Sequence, residues 1–340
     1  MPDLPDASRR PIEARLDALQ AGLEGRLAAQ QAQAEGRLAA LQAQTEGRLA
    51  TLQAQTEGRL AALQAQVAAL AQEVQALRHG QAIYLGDHEA LTRLYTGHRI
   101  YVDTRDVGIC SHLMLEGRWE PWIEAVLREE LKPGMRFADL GANFGYYTLL
   151  GAQWVGAEGR VFAFEANPAI CRKLRKSVSI NGFDDRVRIW EVGVWSGEGT
   201  LEFAFTHEYS GGGGVGAAGE DPVWAAQRVR VPVAPLDRLL ADVPSLDVAK
   251  IDVEGAEPAV LAGAAALLAR SPRITLVVEF QEAGVAAQGG GSALAYLGGL
   301  VRQGFALSLI EPAGRTPPLS PEACLAQLGG RLGYLHLRRG

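Results

Sequence analysis

Chemically suggestive residues begin at Asp139-Leu-Gly141-Ala-Asn143-Phe-Gly145-Tyr-Tyr-Thr148, just after a short apolar run. Gly141 and Gly145 permit a tight turn and close backbone approach, and a helix starting beyond them offers free N–H donors. A second acid, Glu165, follows 24 residues after Gly141 in Phe164-Glu165-Ala166-Asn167-Pro168. That position suits a carboxylate that accepts both hydroxyl hydrogens of a ribose. The turn lacks G-x-G-x-x-G and starts with an acid, Asp139. Such an acid repels a pyrophosphate but tolerates a nucleoside carrying a cationic amino acid. The residues point to S-adenosylmethionine rather than NAD.

Positioning these groups requires strands alternating with helices. Strands are expected at 136–140, 161–165, 187–194, 248–253 and 274–280, with an edge strand or hairpin arm at 199–205. Helices are expected from the Gly-rich turn to about Trp154, over 168–180 and over 257–270. Segments 305–310 and 334–337 can close the sheet as an antiparallel end pair. This alternation predicts an α/β fold with a doubly wound, mostly parallel sheet and a ligand crevice at the strands' carboxyl ends.

The first quarter follows another rule. No Phe, Trp or Tyr precedes Tyr84, although aromatics make up 7% of the chain. Units resembling EGRLAALQAQT recur every 11 residues, with Glu24, Glu35, Glu46 and Glu57 at equivalent places. Leu16, Leu19, Leu23, Leu27, Gln30, Ala34, Leu38, Leu41, Thr45, Leu49, Leu52, Thr56, Leu60 and Leu63 are spaced 3, 4, 4. That period predicts a straight or slightly right-handed supercoil. It changes to heptads through Val67, Leu70, Val74 and Leu77, the left-handed pattern. Asp6 or Ser8 can cap the start, Pro11 suits a first turn, and Gly80 can end the helix. One narrow stripe has nothing to bury against on its own helix. A homo-oligomeric coiled coil through residues 12–78 is the expectation, with a fraying helical tail as the alternative. The expected organisation is a stalk at 1–80, a connecting segment at 81–118 and a catalytic domain at 119–340.

From about Trp119 the chain resembles the FkbM-type S-adenosylmethionine-dependent methyltransferases. The matching pieces are Trp119-Glu120-Pro121, the Asp139–Thr148 turn, Phe164–Pro168, Val231-Pro-Val-Ala-Pro-Leu236-Asp237, and Lys250-Ile-Asp252-Val-Glu254-Gly255-Ala-Glu257 followed by Leu261 and Gly263. The family often has Thr before Leu-Asp, where this chain has Pro235, and the stretch 211–219 is poorly matched. The resemblance implies a seven-stranded class I methyltransferase sheet and methylation of a hydroxyl on a sugar, glycan or secondary metabolite. It implies that Gly141, Asn143 and Gly145 shape the methionine pocket, and that Asp139 supports the turn or the cofactor's ammonium. Glu165 would hold the ribose and Asn167 would lie near the adenine. A poorly acidic hydroxyl benefits from a general base, and alignment supplies much of the remaining acceleration. Asp252, Glu254 and Glu279 are the carboxylate candidates, with His207 an outside one. Asp252 or Glu254 could instead cap the helix starting near Glu257. Trp119 and Trp122, at helical spacing, suit a core better than a sugar platform.

Charge and composition narrow the alternatives. The net charge is −6, without the basic excess of a nucleic-acid or anionic-membrane binder. Three scattered cysteines form no disulfide framework, and the histidines do not cluster, so no metal is expected. The start lacks a signal pattern and no apolar run suffices for a membrane span, which suggests a cytoplasmic protein. A non-catalytic cofactor-binding scaffold and a nucleotide-dependent oxidoreductase are the competing classes.

Overall fold

A computed structural model describes residues 6–79, 82–212, 214–215, 227–287 and 291–340, without side chains at 6–13, 75–79, 214–215 and 287. The chain divides into two compact units, Met1–Val74 and Gln75–Gly340. Helix α1 (Asp6–His79) runs for 74 residues, roughly 110 Å at 1.5 Å per residue. The expected caps, Pro11 and Leu77 have side chains outside the described set, and Gly80 lies outside it altogether. The hydroxyls of Thr45, Thr51 and Thr56 donate to the carbonyls four residues back at 2.7–2.8 Å. That bond accommodates three β-branched polar residues inside one helix.

In the second unit, β1 (Ile83–Gly86), β2 (Glu89–Arg93) and β3 (Arg99–Asp103) form an antiparallel three-stranded sheet. Helices α2 (Ile109–Leu115) and α3 (Pro121–Glu130) follow. Of the segment 81–118, expected as a connection, the described residues 82–118 are therefore folded. Its Ala90, Leu94, Ile100 and Val102 are fully buried in the catalytic unit's core. The turn between β1 and β2 carries positive φ at Gly86, Asp87 and His88, as tight hairpins require.

The main sheet comes next. Strand β4 (Arg136–Leu140) leads into α4 (Tyr146–Val155), and β5 (Arg160–Phe164) into α5 (Pro168–Ile180). Strands β6 (Val187–Trp190) and β7 (Gly193–Val194) divide what was expected as one strand at 187–194. Strands β8 (Gly199–Phe205), β9 (Gly214–Val215) and β10 (Gln227–Ala234) then join β7 in a separate sheet, ordered β7-β10-β8-β9. The remaining elements are α6 (Leu236–Leu239), β11 (Val248–Ile251), α7 (Glu257–Ala262), α8 (Ala265–Ala269), β12 (Ile274–Phe280), α9 (Glu282–Ala287), α10 (Ala293–Arg302), β13 (Ala306–Glu311), β14 (Gly314–Arg315), α11 (Pro321–Leu328) and β15 (Gly333–Arg339).

The central sheet has the order β14-β13-β15-β12-β11-β4-β5-β6. Strands β6, β5, β4, β11 and β12 run parallel, and β15 inserts antiparallel between β12 and β13. The antiparallel closure matches the expected end pair. The seven expected strands are present, and the two-residue β14 adds an eighth at the edge. All residues of β11 and β12 are buried, as in a parallel strand covered on both faces. Phe137 and Ala138 of β4 point into different apolar clusters, following the alternation of a strand. The helix expected over 257–270 breaks after Ala262. A Cβ on Gly263 would lie 2.1 Å from the Trp195 carbonyl, so a side chain cannot fit there.

Candidate active site

The chain reverses its direction of strand addition at β4, which has β5 on one side and β11 on the other. Such a switch opens a crevice beyond the carboxyl ends of the strands. Here the crevice measures about 1120 Å³ including its open mouth, and Gly141, Asn143, Glu165, Asn167, Asp252 and Glu254 all line it. Residues separated by more than a hundred positions thus share one wall.

The Gly-rich turn is built from packing as much as from ligand approach. Gly141 has φ +75°, and a Cβ there would stand 1.8 Å from the Asp252 carbonyl. The close backbone approach expected for a ligand is therefore made by the end of β11. Gly145 has φ +100°, and a Cβ there would press on Leu174 of α5 at 2.5 Å. Asn143 adopts φ 51°, a left-handed conformation that Asn tolerates better than most residues. Its Nδ2 donates to Ser210 Oγ at 3.2 Å.

Glu165 is held by backbone donors on both sides. The Asn143 N–H donates to Oε2 at 2.9 Å and the Asn167 N–H to Oε1 at 2.7 Å. Burial pushes its carboxyl up to about 7 despite those two bonds. Asn167 spends its side-chain oxygen as the N-cap of α5, accepting from the Ala169 N–H at 2.9 Å. Asp139 is completely buried and does not line the crevice. Its Oδ2 accepts from Thr148 Oγ1 at 2.6 Å, tying β4 to α4, while Oδ1 has no partner among the described residues. Burial raises its carboxyl pKa, and Lys250 opposes that rise.

Asp252, Glu254 and Glu279 come together. One carboxylate oxygen from each lies within 4.8 Å of the others, a spacing that could hold a cation. Lys250 Nζ donates to Asp252 Oδ2 at 2.8 Å. The Tyr334 hydroxyl lies 3.1 Å from both that oxygen and Glu120 Oε1. Tyr147 donates to Glu120 Oε2 at 3.0 Å. Burial, then the charge of Asp252, holds the Glu254 and Glu279 carboxyls well above their usual range. Glu120 is shifted upward for the same two reasons. Burial works against the charge on Lys250, yet Asp252 and Asp139 keep it protonated. The alternative of a helix cap is not realised, because Ala256 is the N-cap of α7. Glu257 instead accepts from the Val253 and Gly255 N–H groups at 3.0 and 3.2 Å. Glu254 sits at φ 55°, a strained position for a residue without local capping duty.

His207 does not line the crevice, whereas Trp119 does, beside Ile109 and Leu113 of α2. The folded segment before residue 119 thus supplies part of the wall. The Ser210 N–H donates to Asp106 Oδ2 at 3.0 Å, and the Val107 N–H to the Glu208 carbonyl at 2.9 Å, strapping the 206–212 loop to it. Of the poorly matched stretch 211–219, residues 213 and 216–219 lie outside the described residues. Glu120, Tyr147 and Tyr334 were not legible as site residues. Tyr334 reaches the site from the last strand, 82 positions from Asp252. Pro235, which departs from the family pattern, is the N-cap of α6.

Residues 139–305 match the family model described as the methyltransferase FkbM domain. A curated relative, protein-L-isoaspartate O-methyltransferase 1 of Arabidopsis thaliana, is 32% identical over 79 residues, covering 23% of this chain and 34% of that one. The chain thus spans about a third of the length of that relative. Among solved structures, a SAM-dependent O-methyltransferase from Thermotoga maritima aligns at 14% identity and TM-score 0.39, over 77% of this chain and 85% of its own. A SAM-dependent methyltransferase from Aquifex aeolicus aligns at 15% identity and TM-score 0.36, over 67% and 92%. Residues 139–305 of this chain carry a methyltransferase FkbM domain.

Proposed function

We propose that this domain methylates a hydroxyl group of a sugar, glycan or secondary metabolite. The observation that carries the reading is Asp252, an ion-paired carboxylate on the crevice wall with one oxygen fixed by Lys250 and Tyr334. S-adenosylmethionine fits the residues present. Asp139, buried behind the crevice wall, supports the turn through Thr148 and does not itself reach the crevice. Each Glu165 oxygen takes one backbone hydrogen bond and keeps capacity for a ribose hydroxyl. Asn143 and Gly145 would shape the methionine side, and Asn167 the adenine side.

When bound, the cofactor supplies an electrophilic methyl group on a sulfonium. The protein aligns the acceptor oxygen and manages its proton. Asp252 Oδ1 is the oxygen free of Lys250, and it accepts the hydroxyl proton. The raised pKa values of Glu254 and Glu279 leave them protonated near neutral pH, able to donate hydrogen bonds that orient the acceptor. Asp252 therefore serves as base and the other two as positioning groups. The apolar wall of Trp119, Ile109 and Leu113 keeps water from competing with the acceptor.

Two further readings belong with this one. The free, buried Cys110, Cys171 and Cys324 support a cytoplasmic setting. No described helix is long and apolar enough to cross a membrane. The exposed stripe of α1 supports a homo-oligomer through residues 12–78. The enzymatic test is product analysis with a panel of free sugars, glycans and polyketide alcohols. Mass and NMR spectra should place a new methyl on oxygen. Transfer to nitrogen or carbon alone would overturn the reading, and so would cofactor binding without turnover on any acceptor class.

A further inference from the structure

The charged residues beside the α1 stripe hold information that the leucines do not. With 11 residues in three turns, each step advances about 98°. Leu27, Leu38, Leu49 and Leu60 share one face with Leu41, Leu52 and Leu63 and with Thr45 and Thr56. Taking the Thr position as the centre, Arg26, Arg37, Arg48 and Arg59 lie about 65° to one side. Glu24, Glu35, Glu46 and Glu57 lie about 98° to the other. The two flanks of the stripe therefore carry opposite charge over four repeats.

These charges do not pair along their own helix. Favourable pairs need separations of three or four residues, whereas each Glu precedes its Arg by two and the next Glu follows that Arg by nine. The positions three and four residues away hold only uncharged residues, as at Gln20, Leu27 and Ala28 around Glu24. All eight charged residues are exposed, and the stripe leucines keep 55–70% of their surface in water. Among the described residues, both the apolar face and its charged borders are left without partners.

We propose that the occupant of this face is a second copy of the same helix, running parallel and in register. In a parallel pair each Arg flank faces the partner's Glu flank. An Arg and a partner Glu are then offset by two residues, about 3 Å along the axis. In an antiparallel pair Arg faces Arg and Glu faces Glu along the whole repeat, which costs stability at every contact. The inference rests on the reading that α1 self-associates and adds its direction.

The test uses the full-length chain with Leu27→Cys or Leu60→Cys, oxidised mildly and mapped by peptide mass spectrometry. Light scattering of the same unoxidised samples gives the number of chains. A parallel assembly joins position 27 to 27 and 60 to 60, within disulfide reach at a shared core position. A mixture of the two variants should then give no 27–60 link. An antiparallel pair gives that 27–60 link and little else, overturning the direction while leaving self-association standing. A single-chain mass overturns both. Chains that associate without any of these links overturn the in-register arrangement. Reversing Arg26, Arg37, Arg48 and Arg59 to Glu should dissociate a parallel assembly. Undiminished association of that variant also contradicts the proposal.

Discussion

Leu16, Leu27, Leu38, Leu49 and Leu60 in the long helix keep 55–59% of their surface exposed, whereas Leu94, Leu113, Leu127 and Leu149 in the second unit keep none. The same side chain meets opposite environments because the two regions solve burial differently. The catalytic unit buries its leucines with strands and helices drawn from its whole length. The helix is one unbroken element, so no part of it folds back to cover another. Burying a leucine is worth about 1.5–3 kcal/mol, and under the proposed self-association the helix obtains that stabilisation from a second copy. One region is completed by sequence variety and the other, in our proposal, by copy number.

The comparison is sharpened most by a change confined to the crevice. Asp252→Asn should lower the rate of methyl transfer about 10²- to 10⁴-fold, the usual worth of a positioned base. Its cofactor affinity and its chain number should stay as in the wild type, checked by calorimetry and light scattering. The converse change is Leu38→Asp with Leu49→Asp, which should abolish assembly. Turnover per chain should be unaltered, as seen by release of S-adenosylhomocysteine. Parallel loss of activity would show that the two regions depend on each other.

A smaller effect concerns Glu279. Its folded pKa is raised by burial and by Asp252, so between the ordinary glutamate range and that raised value the folded state holds a proton the unfolded chain has lost. The contribution to stability is thus present at acid pH and declines as pH rises. Glu279→Gln should melt higher than the wild type at neutral pH, with the gap widening toward pH 9 and closing near pH 4. Melting curves across that range check it, and a gap that narrows with rising pH would show the site is not desolvated. The smallest effects belong to the helix glycines. Nothing lies within 4 Å of a Cβ built at Gly36, Gly47 or Gly58. Replacing each with Ala should stabilise the helix by about 1 kcal/mol, read by circular dichroism on heating.

Legibility also divides along the comparison. The repeat announced the helix from its spacing alone, and α5 at Pro168–Ile180 and β12 at Ile274–Phe280 fall where their patterns placed them. Asp252, Glu254 and Glu279 could be named because they lie at or just beyond the carboxyl ends of adjacent parallel strands. The contributions of Glu120 and Tyr334 depend on a strand order that brings positions 214 apart within 3.1 Å. Local pattern carries no trace of that pairing. The fold of 83–103 escaped for another reason. Its strands are short, and their burial depends on α5, where Ser177 Oγ accepts from the Tyr101 N–H and Asn181 Oδ1 from the Arg99 N–H.

The central claim is that the crevice beyond β4, β5 and β11 binds S-adenosylmethionine through Glu165. Calorimetric titration of the full-length protein tests it, with NAD as the contrasting ligand and Glu165→Ala as the contrasting chain. The account predicts one S-adenosylmethionine site per chain, affinity lowered at least about tenfold by Glu165→Ala, the loss expected for a charged hydrogen-bonding group, and no heat with NAD. Saturable NAD binding, or S-adenosylmethionine binding indifferent to Glu165, would contradict it.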